Sequence, residues 1–125
     1  MFQIIFNELS AAELSALPKV LQLSLLGEFQ VLPEDLDQPG GKGDKFGRIE
    51  RGGKKLYRYR ASDYRIYFEP CEQGVTVHRI LHKNTISDFL FRSKLPMVAE
   101  DAQLGKTKAF WKLIDEGANA RPSAP

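Results

Sequence analysis

Cysteine is almost absent from this chain of 125 residues, with Cys71 standing alone. An internal disulfide is therefore excluded, as is a zinc site built on several thiolates. A single thiol fits a reducing compartment. Histidine is nearly as scarce: His78 and His82 are the only two, and no metal-binding set is expected from them. Long apolar runs are missing too, since none approaches the ~18 residues that span a bilayer. The opening Met1-Phe2-Gln3-Ile4-Ile5-Phe6-Asn7 is apolar but short and has no basic leader. It reads as a first strand rather than a signal peptide, so the cytoplasm is the expected location, with no membrane partner. Pro39-Gly40-Gly41-Lys42-Gly43-Asp44-Lys45 is a glycine-rich loop without the Gly-Lys-Ser/Thr ending of a phosphate-cradling P-loop. Ser62-Asp63 reads as a turn, not as part of a hydrolase triad. No cofactor is expected.

What the chain does have is uneven charge. The formal net charge is only +2. Residues 1–41 carry one lysine against six carboxylates, residues 42–65 nine Lys and Arg against three, and the remainder eight against seven. The chain is thus not basic throughout but carries a basic block, which steers polyanions locally. Within it, Lys54-Lys55-Leu56-Tyr57-Arg58-Tyr59-Arg60-Ala61-Ser62-Asp63-Tyr64-Arg65-Ile66-Tyr67 alternates charged and apolar side chains, turns, and alternates again. A strand sends successive side chains to opposite faces, so Arg58 and Arg60 share one face and Tyr57 and Tyr59 the other. Two readings stand for the arginine face. It is either a solvated, solubilising surface or a seat for an anion, with phosphate favoured because guanidinium pairs with it bidentately.

The length suits one domain with an appended element. A strand is expected over 2–7. Ser10-Ala11-Ala12-Glu13 fits a capping box opening a helix to about Leu17. Pro18 suits the opening of a second helix to about Leu32, whose Leu17, Leu21, Leu25 and Phe29 recur every four residues. Strands are expected at Phe46–Arg51, Leu56–Ala61, Tyr64–Glu69 and Val75–His82, with Gly52-Gly53 as a turn or bulge. In the last strand Val75 and Val77 match Arg79 in parity while Ile80 matches His78, which calls for a bulge at an unassigned position. Asn84 can cap a short helix, Thr85–Arg92. Residues 100–116 read as one helix with a Phe110, Leu113, Ile114 stripe, Gly117 as its C-terminal cap, and a disordered tail from Ala118.

This order of elements, together with Leu17-Pro18-Lys19 and the leucine-striped helix, the central hairpin Leu56–Glu69, and Val75-Thr76-Val77-His78-Arg79-Ile80-Leu81-His82-Lys83, resembles the RelE/ParE superfamily of toxin–antitoxin toxins. The likeness covers about residues 1–92 and is most specific in the central hairpin. It implies an α+β fold in which an N-terminal strand and a helical hairpin pack on a small, mainly antiparallel sheet, with residues 93–125 as a helical extension. The RelE branch is a ribosome-dependent ribonuclease that cuts mRNA, and the ParE branch poisons DNA gyrase. In both, a cognate antitoxin holds the toxin inactive. Carried over by position, Arg58 matches a catalytic strand lysine, Arg65 the arginine opening the next strand, and Lys83 an arginine after the last strand. Leu56 stands where another lysine is expected, with Lys54 and Lys55 close by. Phe89 stands near an expected tyrosine, and phenylalanine cannot move a proton.

The resemblance makes a toxin the expected function, with metal-independent mRNA cleavage on the ribosome preferred. A gyrase-directed toxin and a catalytically inactive binding module are the alternatives. In such cleavage the 2′-hydroxyl attacks phosphorus while preorganised cations hold the developing charge. Arg58, Arg60 and Arg65 suit that role because they stay protonated. Lys54, Lys55 or Lys83 would serve as base, and His82 as acid or base, against a plainer reading as the histidine that closes a strand. Tyr57, Tyr59 and Tyr64 are expected in the core, and Tyr67 is the candidate to stack a base. The extension is expected to cover the sheet or the helical hairpin, as amphipathic helices usually pack at home. The other readings place it in the antitoxin groove or in a homodimer contact.

Overall fold

The computed structural model describes residues 3–31, 45–95 and 100–123, so the glycine-rich loop expected at 39–45 lies outside the described residues except for Lys45. The fold is α+β. Strand β1 (Gln3–Phe6) leads into helices α1 (Glu8–Ser15) and α2 (Lys19–Glu28). Four strands follow, β2 (Phe46–Arg51), β3 (Lys54–Ala61), β4 (Tyr64–Cys71) and β5 (Gly74–His82), and then α3 (Lys83–Arg92), α4 (Glu100–Leu104) and α5 (Lys108–Asn119). The sheet order is β1-β5-β4-β3-β2. β2 to β5 form an antiparallel meander, and β1 lies parallel to β5 at its edge. Gly52 and Gly53 both take positive φ, 55° and 86°, which makes the tight β2–β3 turn that glycine permits.

The parity conflict in the last strand resolves at His78. Tyr67 pairs with Arg79, but the next residue, Phe68, pairs with Val77, so His78 is the extra residue of a bulge. The bulge puts Val75, Val77 and Ile80 on one face and leaves Leu81 on the other. Each face then has its own core. Under α1 and α2 the core is aromatic: Phe29 lies 5.2 Å from Tyr59 and 5.2 Å from Phe68 between ring centroids, and Phe46 lies 4.9 Å from Tyr59. Under α3, α4 and α5 it joins Leu56, Tyr67 and Leu81 of the sheet to Leu104, Phe110 and Ile114.

Several boundaries differ from the sequence expectation. The first helix is capped by Asn7, not Ser10. Asn7 Oδ1 accepts from the Ser10 amide at 2.7 Å, and the Asn7 amide donates to Ser10 Oγ at 3.0 Å. Ser10 is therefore the third residue of a box one turn earlier, and Glu13 is released for another task. The second helix stops at Glu28, before the Leu32 expected for it. α3 begins at Lys83 and is capped by His82, whose Nδ1 accepts from the Asn84 amide at 3.0 Å, so His82 is the cap in place of Asn84. The single helix expected over 100–116 is two, broken at Gly105 and Lys106, where the Gly105 carbonyl accepts from Trp111 Nε1 at 2.9 Å.

Gly117 is not a cap but a buried residue within α5. A Cβ there would collide with the His78 carbonyl, so its absence lets α5 sit directly on the bulge. The tail expected to be disordered is held through residue 123. Glu8 donates its amide to the Arg121 carbonyl, Ser123 donates to the Phe6 carbonyl, both at 2.8 Å, and Asn7 bridges Pro122. Asn7 knits these parts together, since its Nδ2 reaches the carbonyl oxygens of Val77, His78 and Gly117 at 3.2, 3.1 and 2.7 Å.

A candidate phosphate-binding face beneath the C-terminal helices

Antiparallel register collects the hairpin's arginines. Arg58 pairs with Tyr67, and Arg60 pairs with Arg65. Residues opposite one another in register share a face, so Arg58, Arg60, Arg65 and Tyr67 project together, with Arg79 beside Tyr67 on β5. This face is not open. Arg58 is 4 % exposed and Arg65 8 % exposed, and Tyr67 is fully buried.

Carboxylates of the extension occupy the arginines. Asp101 meets Arg58 with both oxygens, Oδ2 at 2.7 Å from Nη2 and Oδ1 at 3.3 Å from Nε, while Arg58 Nη1 also donates to the Lys45 carbonyl at 3.0 Å. Glu100 Oε2 lies 3.2 Å from Arg65 Nε, and Arg65 Nη1 donates to the Ser62 and Tyr64 carbonyls at 3.3 and 3.2 Å. The same pattern continues along the sheet. Asp115 takes Arg51 through two hydrogen bonds, at 2.7 and 3.1 Å, and Glu116 comes within 4.0 Å of Arg79. Each of the four carboxylates after residue 92 thus lies on a sheet arginine. Arg79 is held more tightly from the other direction: Glu13 Oε2 accepts from its Nη2 at 2.7 Å and from Nε at 3.0 Å, while Glu13 Oε1 accepts the Ile80 amide at 2.9 Å. That is the task Glu13 performs instead of capping.

Gly47 makes room for the central pair. It sits opposite Arg58 on β2, and a Cβ there would collide with both the Arg58 guanidinium and the Asp101 carboxylate. Tyr67 is the odd group. Its ring meets Phe110 edge to face at 5.1 Å, and its buried hydroxyl has no hydrogen-bond partner among the described residues. Burial, and then the carboxylates of Glu100 and Asp101, push this hydroxyl's pKa well above its ordinary value, against the opposing pull of Arg58 and Arg65.

The remaining candidates lie outside this cluster. Arg60 is half-buried beside Arg65, and its Nε is buried without a partner among the described residues. His82 ends β5 opposite Tyr64, which puts its side chain on the aromatic face and not on the Arg65 face, and Lys83 opens α3. His82 lies against Tyr64 at 5.0 Å, and Lys83, half-exposed, pairs with Asp63 at 3.2 Å. As a cap, the His82 ring offers its Nδ1 lone pair to the backbone, so the neutral ring carries its proton on Nε2. Lys54 and Lys55 are exposed at the far end of β3, four residues or about 13 Å along the strand from Lys54 to Arg58. Phe89 is half-buried against the core of the extension side. Arg58, Arg60, Arg65 and Tyr67 are therefore brought together, His82 faces away from them with Tyr64, Lys83 lies past the end of β5 on Asp63, and Lys54 and Lys55 are apart from the group.

The expectation did not include Glu100, Asp101 or the Arg51–Asp115 and Arg79–Glu13 pairs. Their one signal in the sequence is that the extension's carboxylates come as two adjacent doublets, 100–101 and 115–116.

Among the described residues no helix is long and apolar enough to cross a membrane. None of the curated proteins matches the chain. The family model described as the ParE toxin of the type II toxin–antitoxin system parDE matches residues 4–86, which takes in the sheet from Ile4 and the start of α3 and leaves α4 and α5 outside. This chain belongs to that ParE toxin family, within the RelE/ParE superfamily, and is a toxin of a type II toxin–antitoxin system whose partner is a cognate antitoxin.

Proposed function

We propose that this toxin binds RNA phosphate through Arg58 and Arg65 and arrests translation by cleaving mRNA on the ribosome. The observation that carries the reading is the convergence of Arg58, Arg65 and Tyr67 on one face of paired strands. Two fixed guanidinium groups match the charge that gathers on a phosphorane-like transition state. In the reaction the 2′-oxygen bonds to the adjacent phosphorus, and the bond from phosphorus to the 5′-oxygen breaks. The products are a 2′,3′-cyclic phosphate and a 5′-hydroxyl. The 2′-hydroxyl gives its proton to a base, for which Lys83 is the nearest lysine in sequence to the last strand. The leaving oxygen takes a proton from water, because His82 faces away with Tyr64 and its ring, whose Nδ1 accepts the Asn84 amide, is neutral.

A second reading has its own support. The matching family model is ParE, a gyrase-directed branch by resemblance, and Phe89 offers no hydroxyl near the place where that superfamily's nuclease branch has a tyrosine. The test is to induce the chain in bacteria without its antitoxin and follow protein synthesis, DNA replication and mRNA ends. Early translation arrest with codon-positioned mRNA breaks supports cleavage, and replication arrest with intact mRNA overturns it. Lys83→Ala is the informative variant, because Lys83 is half-exposed, and His82→Asn, which preserves the helix cap on the other face, is its control. Lys83→Ala should remove the breaks and His82→Asn should keep them, both with the fold intact.

A further inference from the structure

We propose that Glu100 and Asp101 are an internal competitor for phosphate: α4 is a carboxylate plug seated on Arg58 and Arg65, and RNA gains those arginines by displacing it. The inference rests on the reading of Arg58 and Arg65 as a phosphate site and adds how that site is regulated.

Three observations carry it. The first is the way the occupant sits. Asp101 presents two oxygens to the fork of Arg58, at 2.7 and 3.3 Å, and its neighbour Glu100 reaches Arg65 on the adjacent strand. Two negative groups one residue apart thus span two arginines on paired strands, which is what consecutive anionic groups of a polyanion would do. The second is an imperfect fit. The Tyr67 hydroxyl is buried among the same four charged side chains, and neither carboxylate uses it. A native interior rarely leaves such a donor unmet. A phosphate group, with more acceptor oxygens than a carboxylate, would give it a partner.

The third is separability. α5 is fastened by its own contacts: Phe110, Trp111 and Ile114 in the core, Arg51 on Asp115, the Arg51 guanidinium 4.4 Å from the Trp111 ring centroid, and the Asn7 amide on the Gly117 carbonyl. α4 is five residues, too short to persist as a helix without its contacts. Its described attachments are the two ion pairs, Leu104 in the core, the Gly105 carbonyl that follows it, and the Gln103 and Leu104 carbonyls that accept from Thr107 at the start of α5. The plug can leave while α5 stays. A site closed for all but about one part in a hundred of the time shows about a hundredfold weaker apparent affinity than the open site. Removing the plug's charge returns part of that factor.

The experiment measures binding of a single-stranded oligoribonucleotide, 2′-O-methylated throughout so that it cannot be cleaved, to the full chain. Wild type is compared with Glu100→Gln/Asp101→Asn, and each is compared again with Arg58→Gln/Arg65→Gln added. Glu100→Gln/Asp101→Asn nearly preserves side-chain shape, and near-ultraviolet circular dichroism checks the fold of every variant. The expected result is binding about tenfold tighter or more in Glu100→Gln/Asp101→Asn, lost again when the two arginines are replaced. Unchanged affinity in that variant, with wild-type binding still lost on replacing the arginines, overturns the plug and leaves the phosphate site standing. Binding that ignores the arginines in both backgrounds overturns the phosphate-site reading and the plug with it. Hydrogen exchange on the wild-type chain decides independently of any variant. Adding the oligoribonucleotide should speed exchange of the α4 amides and leave those of α5 unchanged. Slowed or unaltered α4 exchange in the bound state overturns the plug.

Discussion

The two faces of the sheet are buried by different physics. Under α1 and α2 the contact is aromatic and aliphatic, with Phe29, Phe46, Tyr59 and Phe68 packed ring against ring. Under α4 and α5 the apolar contact is edged by charge, and Arg51, Arg58, Arg65 and Arg79 each meet a carboxylate supplied by the extension. Burial of apolar area is non-directional and stabilises wherever water is excluded. A buried ion pair stabilises little on balance, because desolvation offsets attraction, yet breaking one is costly. The aromatic face is therefore suited to holding the fold together. The charged face is suited to discriminating between occupants, since the arginines accept any anion of suitable geometry.

The largest effect expected from this difference is on the aromatic face. Phe68→Ala removes a fully buried ring that touches Phe29, Phe46 and Tyr57, and should cost about 3–5 kcal/mol in chemical denaturation. Asp101→Ala comes next. It strips the carboxylate from a 4 % exposed arginine and should cost about 3 kcal/mol, whereas Asp101→Asn, which keeps a hydrogen-bonding oxygen, should cost about 1 kcal/mol. Equal costs for the two variants would remove the case that charge distinguishes this face.

Tyr67→Phe is a smaller test with the opposite sign. Its hydroxyl is buried without a partner among the described residues, so stability should rise by up to about 1 kcal/mol. The pH dependence follows from the raised pKa of Tyr67. The neutral phenol is favoured in the folded state, so its contribution is fully present below the ordinary tyrosine value of about 10. It is lost as pH rises above that, because the unfolded chain ionises first. Denaturation midpoints measured across the alkaline range should therefore fall less steeply in Tyr67→Phe. Equal slopes would show that the hydroxyl is not held neutral by its surroundings.

The smallest effect belongs to the rim of the charged face. The Arg51 guanidinium, chiefly by hydrogen bonding, holds the Asp115 carboxyl below its usual range. Both side chains are more than a third exposed, so solvent screens the pair. Asp115→Asn should cost a few tenths of a kcal/mol, present above the ordinary carboxylate value and lost as pH falls through the lowered one. A larger cost would place this pair with the buried ones.

Local pattern made much of this architecture legible. Strict alternation was enough to place Arg58 and Arg60 opposite Tyr57 and Tyr59, and every strand of the sheet was found at close to its observed bounds. The parity conflict between Val77 and Ile80 announced a bulge, but only pairing with Tyr67 and Phe68 identifies His78 as the extra residue. Caps were displaced because several residues nearby could accept an amide: Asn7 won over Ser10, and His82 over Asn84. Gly117 looked like a helix end because glycine often is one, while here it serves a close approach between α5 and the His78 carbonyl. The partners of the arginines were not legible. Asp101 lies 43 residues from Arg58 and Glu100 lies 35 from Arg65, and a charge pair across such a distance leaves no periodicity. Summing charge over residues 66–125 hid it further, because the extension's lysines masked its acidic doublets.

The order of the pairs along the chain has a consequence during synthesis. Protein is made N-terminus first, so Arg51, Arg58 and Arg65 emerge before Asp115, Asp101 and Glu100, their partners in the folded chain. Of the four sheet arginines that meet the extension, Arg79 alone has its main described partner already made, Glu13. While the last third of the chain is still being translated, the nascent protein presents Arg51, Arg58 and Arg65 before the carboxylates of Asp115, Asp101 and Glu100 exist, at the surface of a machine built largely of RNA.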